Sequence, residues 1–104
     1  MAPPTTRSGT NTYIVSYDIS DPKRLRRVFK TMKGWGMHVQ YSVFQCDLSK
    51  QSLIELQSEL DDLIDHHADQ VLFIDVGPSS GRARTAISAL GKPISPPSRS
   101  AIVI

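Results

Sequence analysis

The chain has little of what would give it a covalent or membrane-bound scaffold. It contains a single cysteine, Cys46, in 104 residues. One cysteine closes no internal disulfide and holds no zinc alone. Set in an apolar run with no histidine beside it, Cys46 reads as a small buried hydrophobe rather than a catalytic thiol. No apolar run approaches the roughly 20 residues needed to span a bilayer. The Pro/Thr/Ser-rich stretch from Met1 to Gly9 lacks the apolar centre of a signal peptide. Residues 1–10 are therefore expected to be a disordered lead-in, and the protein to be cytoplasmic with no membrane partner. The loop Gly77-Pro78-Ser79-Ser80-Gly81 lacks the Gly-Lys-Ser/Thr ending of a phosphate-binding loop. His66 and His67 are expected at a helix end, where they suit the negative end of the dipole better than a metal.

Net charge is also low, at +2, but its distribution is uneven. Between Pro22 and Lys33 stand Lys23, Arg24, Arg26, Arg27, Lys30 and Lys33, with no acid among them. Between Ser49 and Asp65 stand Glu55, Glu59, Asp61, Asp62 and Asp65, opposed only by Lys50. A solvated helix face normally mixes signs, so an all-positive one points to phosphate. No base-reading motif accompanies it, so those contacts should position a nucleic acid rather than specify its sequence.

A chain of this length makes one domain with one core. Thr12 to Asp18 is β-branched and aromatic and reads as a strand. Ser20 or Asp21 caps a helix that begins at Pro22, with an apolar stripe at Leu25, Val28, Phe29 and Met32 and a stop at Gly34 and Gly36. From Met37 to Leu48 the alternation changes parity near Ser42-Val43, which predicts two short strands in tight connection, although no Asn-Gly or Gly-Gly turn marks it. Ser49 caps a second helix with a stripe at Leu53, Leu56, Leu60, Leu63 and His67, reinforced by Ile54 and Ile64. Trp35, between two glycines, is expected to anchor surface to core. Val71 to Val76 is a further strand, Thr85 to Leu90 a candidate helical turn, and Ala101 to Ile104 a terminal strand in search of a sheet edge. The order βαββαβ predicts an α+β, ferredoxin-like sandwich over residues 11–78, with residues 79–104 as a C-terminal segment. Its uncovered sheet face predicts a face-to-face homodimer, and the terminal strand would pair with the partner's edge.

Three stretches taken together, Tyr13-Ile14-Val15-Ser16-Tyr17-Asp18-Ile19, the basic helix, and Val39-Gln40-Tyr41-Ser42-Val43-Phe44-Gln45, resemble the CRISPR-associated Cas2 family. The resemblance runs from about Tyr13 to Val76. It implies a dimeric subunit of spacer acquisition that bridges copies of a larger integrase subunit and holds duplex DNA. It also implies a magnesium-dependent endonuclease acting on RNA or DNA. Asp18 matches the strand-end aspartate that holds the metal. Tyr17, Arg27 and Phe44 match the family's tyrosine, helix arginine and phenylalanine. The chain departs from the pattern with His38 before the Val-Gln pair, Leu25 on the helix and Gln45 after the phenylalanine.

The residues themselves leave alternatives open. Asp18 is either a metal ligand or a turn residue ahead of Pro22. A lone carboxylate suits magnesium poorly, but two copies across a dimer axis would meet the ion's need for one or two carboxylates completed by water and phosphate. Tyr17 and Phe44 are either catalytic or core. Lys23, Arg24, Arg26, Arg27 and Lys30 are the expected nucleic-acid contacts. The competing function is a purely architectural DNA-binding protein, and a ferredoxin-like regulatory domain is a third class.

Overall fold

The computed structural model describes residues 9–94. Strand β1 (Asn11–Asp18) is followed by helix α1 (Pro22–Lys33), strands β2 (Met37–Gln40) and β3 (Val43–Leu48), helix α2 (Lys50–Leu63), strand β4 (Gln70–Pro78) and a short helix α3 (Ala83–Ala86). The strands form one antiparallel sheet in the order β2-β3-β1-β4, which is the expected ferredoxin-like α+β sandwich. The expected strand at Ala101 to Ile104 lies outside the described residues, as does most of the N-terminal lead-in. Of that lead-in, Thr10 already accepts a bond from the Ser79 backbone N–H.

Local chemistry starts and stops these elements. The Asp21 carboxylate accepts from the Lys23 and Arg24 backbone N–H groups, and Pro22 occupies the first turn of α1, where its missing donor costs nothing. The Ser49 hydroxyl accepts from the Ser52 N–H to open α2. Helix α2 ends at Leu63, so His67 is not on its stripe. The Asp65 side chain accepts from the His67 N–H at 2.8 Å, and this local turn competes with the next helical bond. Ile54 is exposed on the flank of the stripe rather than reinforcing it. The turn expected at Thr85 to Leu90 is instead α3, which begins earlier. Trp35 packs against the core and donates to Glu59, joining the turn after α1 to α2.

The two strands expected in the Met37 to Leu48 region are present, joined by Tyr41-Ser42. Tight hairpins usually need positive φ in the turn, yet among the described residues no non-glycine residue has one. A register shift between His38 and Gln40 accompanies this turn and takes up the misfit in twist.

Because side chains alternate across a strand, the sheet has two unlike faces. Val15, Tyr17, Phe44, Cys46 and Leu48 point toward the helices and pack with Val28, Met32, Leu56 and Leu60. Gly36 lies so close to β3 that a methyl group there would overlap Cys46 Sγ and the Gln45 carbonyl, so the absent side chain lets β2 seat. Ile14, Ser16 and Asp18 share the other face with Leu72 and Ile74 of β4. The segment from Ile87 to Ile94 faces the β2–β3 half of this side across a cavity of about 770 Å³ that Ile14, Val39 and Val43 also line. The β4 half stays open, with Leu72 and Ile74 48% and 49% exposed. No helix among the described residues is long and apolar enough to cross a membrane.

Candidate nucleic-acid interface

Asp18 is the last residue of β1, is exposed, and lies opposite Gln70 of β4. Tyr17 precedes it and therefore points the other way, into the core, where its ring stacks on Phe44 with centroids 6.3 Å apart. Burial pushes the Tyr17 phenol above its usual range. Phe44 is fully buried and also meets the rings of Phe29 and His38. The structure thus brings Tyr17 and Phe44 together and separates both from the Asp18 carboxylate by the thickness of the sheet. Cys46 is buried as expected, and desolvation pushes its thiol up to about 11, far from a reactive thiolate.

The residue that fixes the exit of β1 is one that sequence reasoning missed. Asp69 sits immediately before β4, with its side chain fully shielded from solvent. One carboxylate oxygen accepts from the backbone N–H and hydroxyl of Ser20, two residues past Asp18. The other accepts from Arg24 Nε at 2.7 Å and from the Asp65 N–H. Arg24 adds a second bond from its outer nitrogen at 3.2 Å, so the pair is bidentate. The Arg24 bonds, reinforced by those from the Asp65 and Ser20 N–H groups, hold the Asp69 carboxyl well below the usual carboxylate range. A single acid thus ties α1 and two loops to the end of the strand that carries Asp18. A pair so far apart in sequence leaves no local signal. The nearest hint was an aspartate standing directly ahead of an apolar strand.

This network also changes how the basic helix is read. Arg24 belongs by sequence to the cations expected to meet phosphate, but its guanidinium is engaged by Asp69. Lys23, Arg26, Arg27, Lys30 and Lys33 instead line one shallow groove of about 570 Å³, with Phe29 as its apolar member. Lys33 Nζ lies 5.5 Å from the centre of the Phe29 ring, a cation–π distance. All four predicted cations other than Arg24 are therefore brought together, and Lys33 joins them. Among the described residues no acid lines the groove, which suits a polyanion held along its backbone.

The model of the CRISPR associated protein Cas2 family matches residues 11–83. The chain belongs to the Cas2 family. The CRISPR-associated endoribonuclease Cas2 1 of Rhodospirillum rubrum is 49% identical over 92 residues, covering 88% of this chain and 89% of that protein. The CRISPR-associated endoribonuclease Cas2 of Geobacter sulfurreducens is 40% identical over 92 residues, covering 88% and 96%. Among solved structures, Streptococcus pyogenes Cas2 superposes with a TM-score of 0.66 at 30% identity, covering 77% of this chain and 99% of that one. The Cas2 match thus contains the β1 exit, the basic groove and the hairpin at Tyr41-Ser42 within one continuous stretch.

Proposed function

We propose that this Cas2-family chain is a CRISPR-associated endonuclease that acts as a homodimer, holding the phosphate backbone of RNA or DNA on the groove of α1 and using magnesium at Asp18. The observation that carries the reading is the position of Asp18, an exposed carboxylate on the half-open apolar face that a second copy would cover. Among the described residues no three histidine, cysteine or acidic side chains gather into a metal cluster. One chain therefore brings one carboxylate. The donor set fits magnesium when a two-fold related copy brings a second Asp18 and water and phosphate complete the shell. When bound there, the ion neutralises phosphate charge and makes a bound water more acidic. The chain's own part is to hold the ion through Asp18 and to align the strand through Lys23, Arg26, Arg27, Lys30 and Lys33. Tyr17 and Phe44 support β1 and β3 from beneath.

The sparse donor set also favours a second reading, in which the same dimer is architectural. It would hold duplex DNA and bridge copies of a larger integrase subunit during spacer acquisition, without cutting. Cleavage of end-labelled single-stranded RNA and duplex DNA, with magnesium and with a chelator, separates the two. The expected result is chelator-sensitive cleavage that Asp18→Asn lowers at least ~100-fold, or about 2.7 kcal/mol in barrier, while binding and melting temperature stay near wild type. Cleavage by Asp18→Asn at the wild-type rate would overturn the assignment of Asp18. A wild-type protein that binds both substrates tightly and cuts neither would leave the architectural reading.

A further inference from the structure

A second cavity adjoins the basic groove and differs from it in chemistry. Its volume is about 330 Å³, the small end of the ~300–1,000 Å³ range of ligand pockets. Tyr17, Leu25, Phe29 and His38 form its walls, and Tyr41 stands with it at the tip of the β2–β3 hairpin. Arg26 and Phe29 line both this cavity and the basic groove, so the two adjoin. Tyr41 is 89% exposed, and its ring contributes nothing to the core. A hairpin tip carrying a large exposed aromatic is normally mobile, but this one is held at both ends. His38 Nε2 lies 3.0 Å from the Tyr41 carbonyl, to which it donates, while the His38 ring is wedged against Phe29 and Phe44. The Tyr17 backbone N–H donates to the Ser42 carbonyl at 3.1 Å, clamping the tip to β1 one residue before Asp18.

We propose that this apolar notch with Tyr41 at its rim receives one unpaired nucleobase of a single strand whose phosphates lie on the groove of Lys23, Arg26, Arg27, Lys30 and Lys33. The inference rests on the nucleic-acid reading above and deepens it. Charge complementarity fixes the class of ligand, because an apolar cavity able to take a planar ring lies beside a cationic surface suited to phosphates. A base–aromatic stack beside a cationic track is the usual way to hold single strands without reading their sequence. A duplex keeps its bases stacked inside and offers only backbone to the groove. The pocket therefore makes the chain discriminate single strand from duplex, a preference that the basic groove alone would not produce.

Fluorescence anisotropy with three probes of equal length, in chelator so that nothing is cut, tests this. The probes are a single-stranded DNA, the same strand with abasic sites in place of its bases, and a duplex. Tyr41→Ala is expected to weaken the normal single strand roughly tenfold while leaving the abasic strand and the duplex within about twofold. Tyr41→Phe is expected to restore single-strand affinity, since the ring and not the hydroxyl does the stacking. Arg26→Ala is expected to weaken all three probes. Equal loss on all three for Tyr41→Ala, or no loss on the single strand, overturns the base site while leaving the phosphate groove standing. A wild-type protein that binds none of the probes overturns both. Because Tyr41 is exposed, an unchanged melting temperature accompanies the expected result.

Discussion

The two faces of the sheet are made from alternate residues of the same strands and are put to opposite uses. The helix-covered face holds Val15, Tyr17 and Phe44, all buried, in a ring and methyl packing that Gly36 and Cys46 close at the β2 side. The other face carries Asp18, Ser16 and Ile14 beside the half-exposed Leu72 and Ile74. Tyr17 and Asp18 are neighbours in sequence and antipodes in the fold. One face keeps the chain folded, and the other offers an apolar bed with a carboxylate at its edge. The lesson is that two neighbours at a strand end need not share a face: parity turns the Tyr17 ring into the core and leaves the Asp18 carboxylate exposed on the opposite side.

Substitutions on each face should therefore fail differently. The largest effect is expected from Phe44→Ala, which removes a fully buried ring that three other rings touch. Core Phe to Ala changes cost about 3–5 kcal/mol, a large part of the stability of a domain this size. Urea unfolding should show a midpoint far below wild type. A near-normal midpoint would mean that the helix-covered face is not what holds the fold. On the open face, Leu72→Lys should leave intramolecular stability within about 0.5 kcal/mol, as surface changes do. It should instead act on association, because a charge placed in an apolar interface must be desolvated. Sedimentation equilibrium is expected to give a dimer for the wild type and a monomer for Leu72→Lys. A dimer that survives Leu72→Lys unchanged would place the contact between copies elsewhere and remove the second Asp18 from the first.

Much of the covered face was legible in the sequence. Its signals are local: the caps at Asp21 and Ser49, the stripe Leu25, Val28, Phe29 and Met32, and the change of parity at Ser42-Val43 that marked two strands. The family was legible from the run Val39 to Gln45 and the Tyr17-Asp18 pair, and the match over residues 11–83 bears it out. What stayed hidden depends on tertiary contact. Arg24 looked equivalent to Arg26 and Arg27, and only the arrival of Asp69 from a position 45 residues away removes it from the basic groove. Tyr41 looked like one more alternating strand residue, and only the turn geometry exposes it beside the apolar notch. The helix stop before His67 was hidden because Asp65 acts through its side chain, which the hydrophobic period does not register.

The smallest predicted effect concerns the point where the two faces diverge. Asp69 pins the loop that follows Asp18 through Ser20 and Arg24, and its carboxyl is held below the ordinary value of about 3.9. A carboxyl depressed by folding contributes stability above its unfolded value and loses it as pH falls toward its folded value. Asp69→Asn keeps the shape but removes the charge that Arg24 pairs with. The difference in urea midpoint between wild type and Asp69→Asn should therefore be full and constant from about pH 5 upward. It should shrink as pH falls below about 4, because the unfolded chain then takes up a proton at this carboxyl that the folded, Arg24-paired carboxylate still refuses. The groups facing Asp69 are Arg24 from α1 and Asp65 from the turn before β4, and neither is changed by the substitution. Subtracting the two profiles cancels the contributions that the two proteins share. A difference that stays flat down to pH 3 would show that Asp69 acts through its neutral hydrogen bonds to Ser20 and Asp65. The exit of β1 would then be held by backbone geometry, and the Arg24 pair would be an accessory to it.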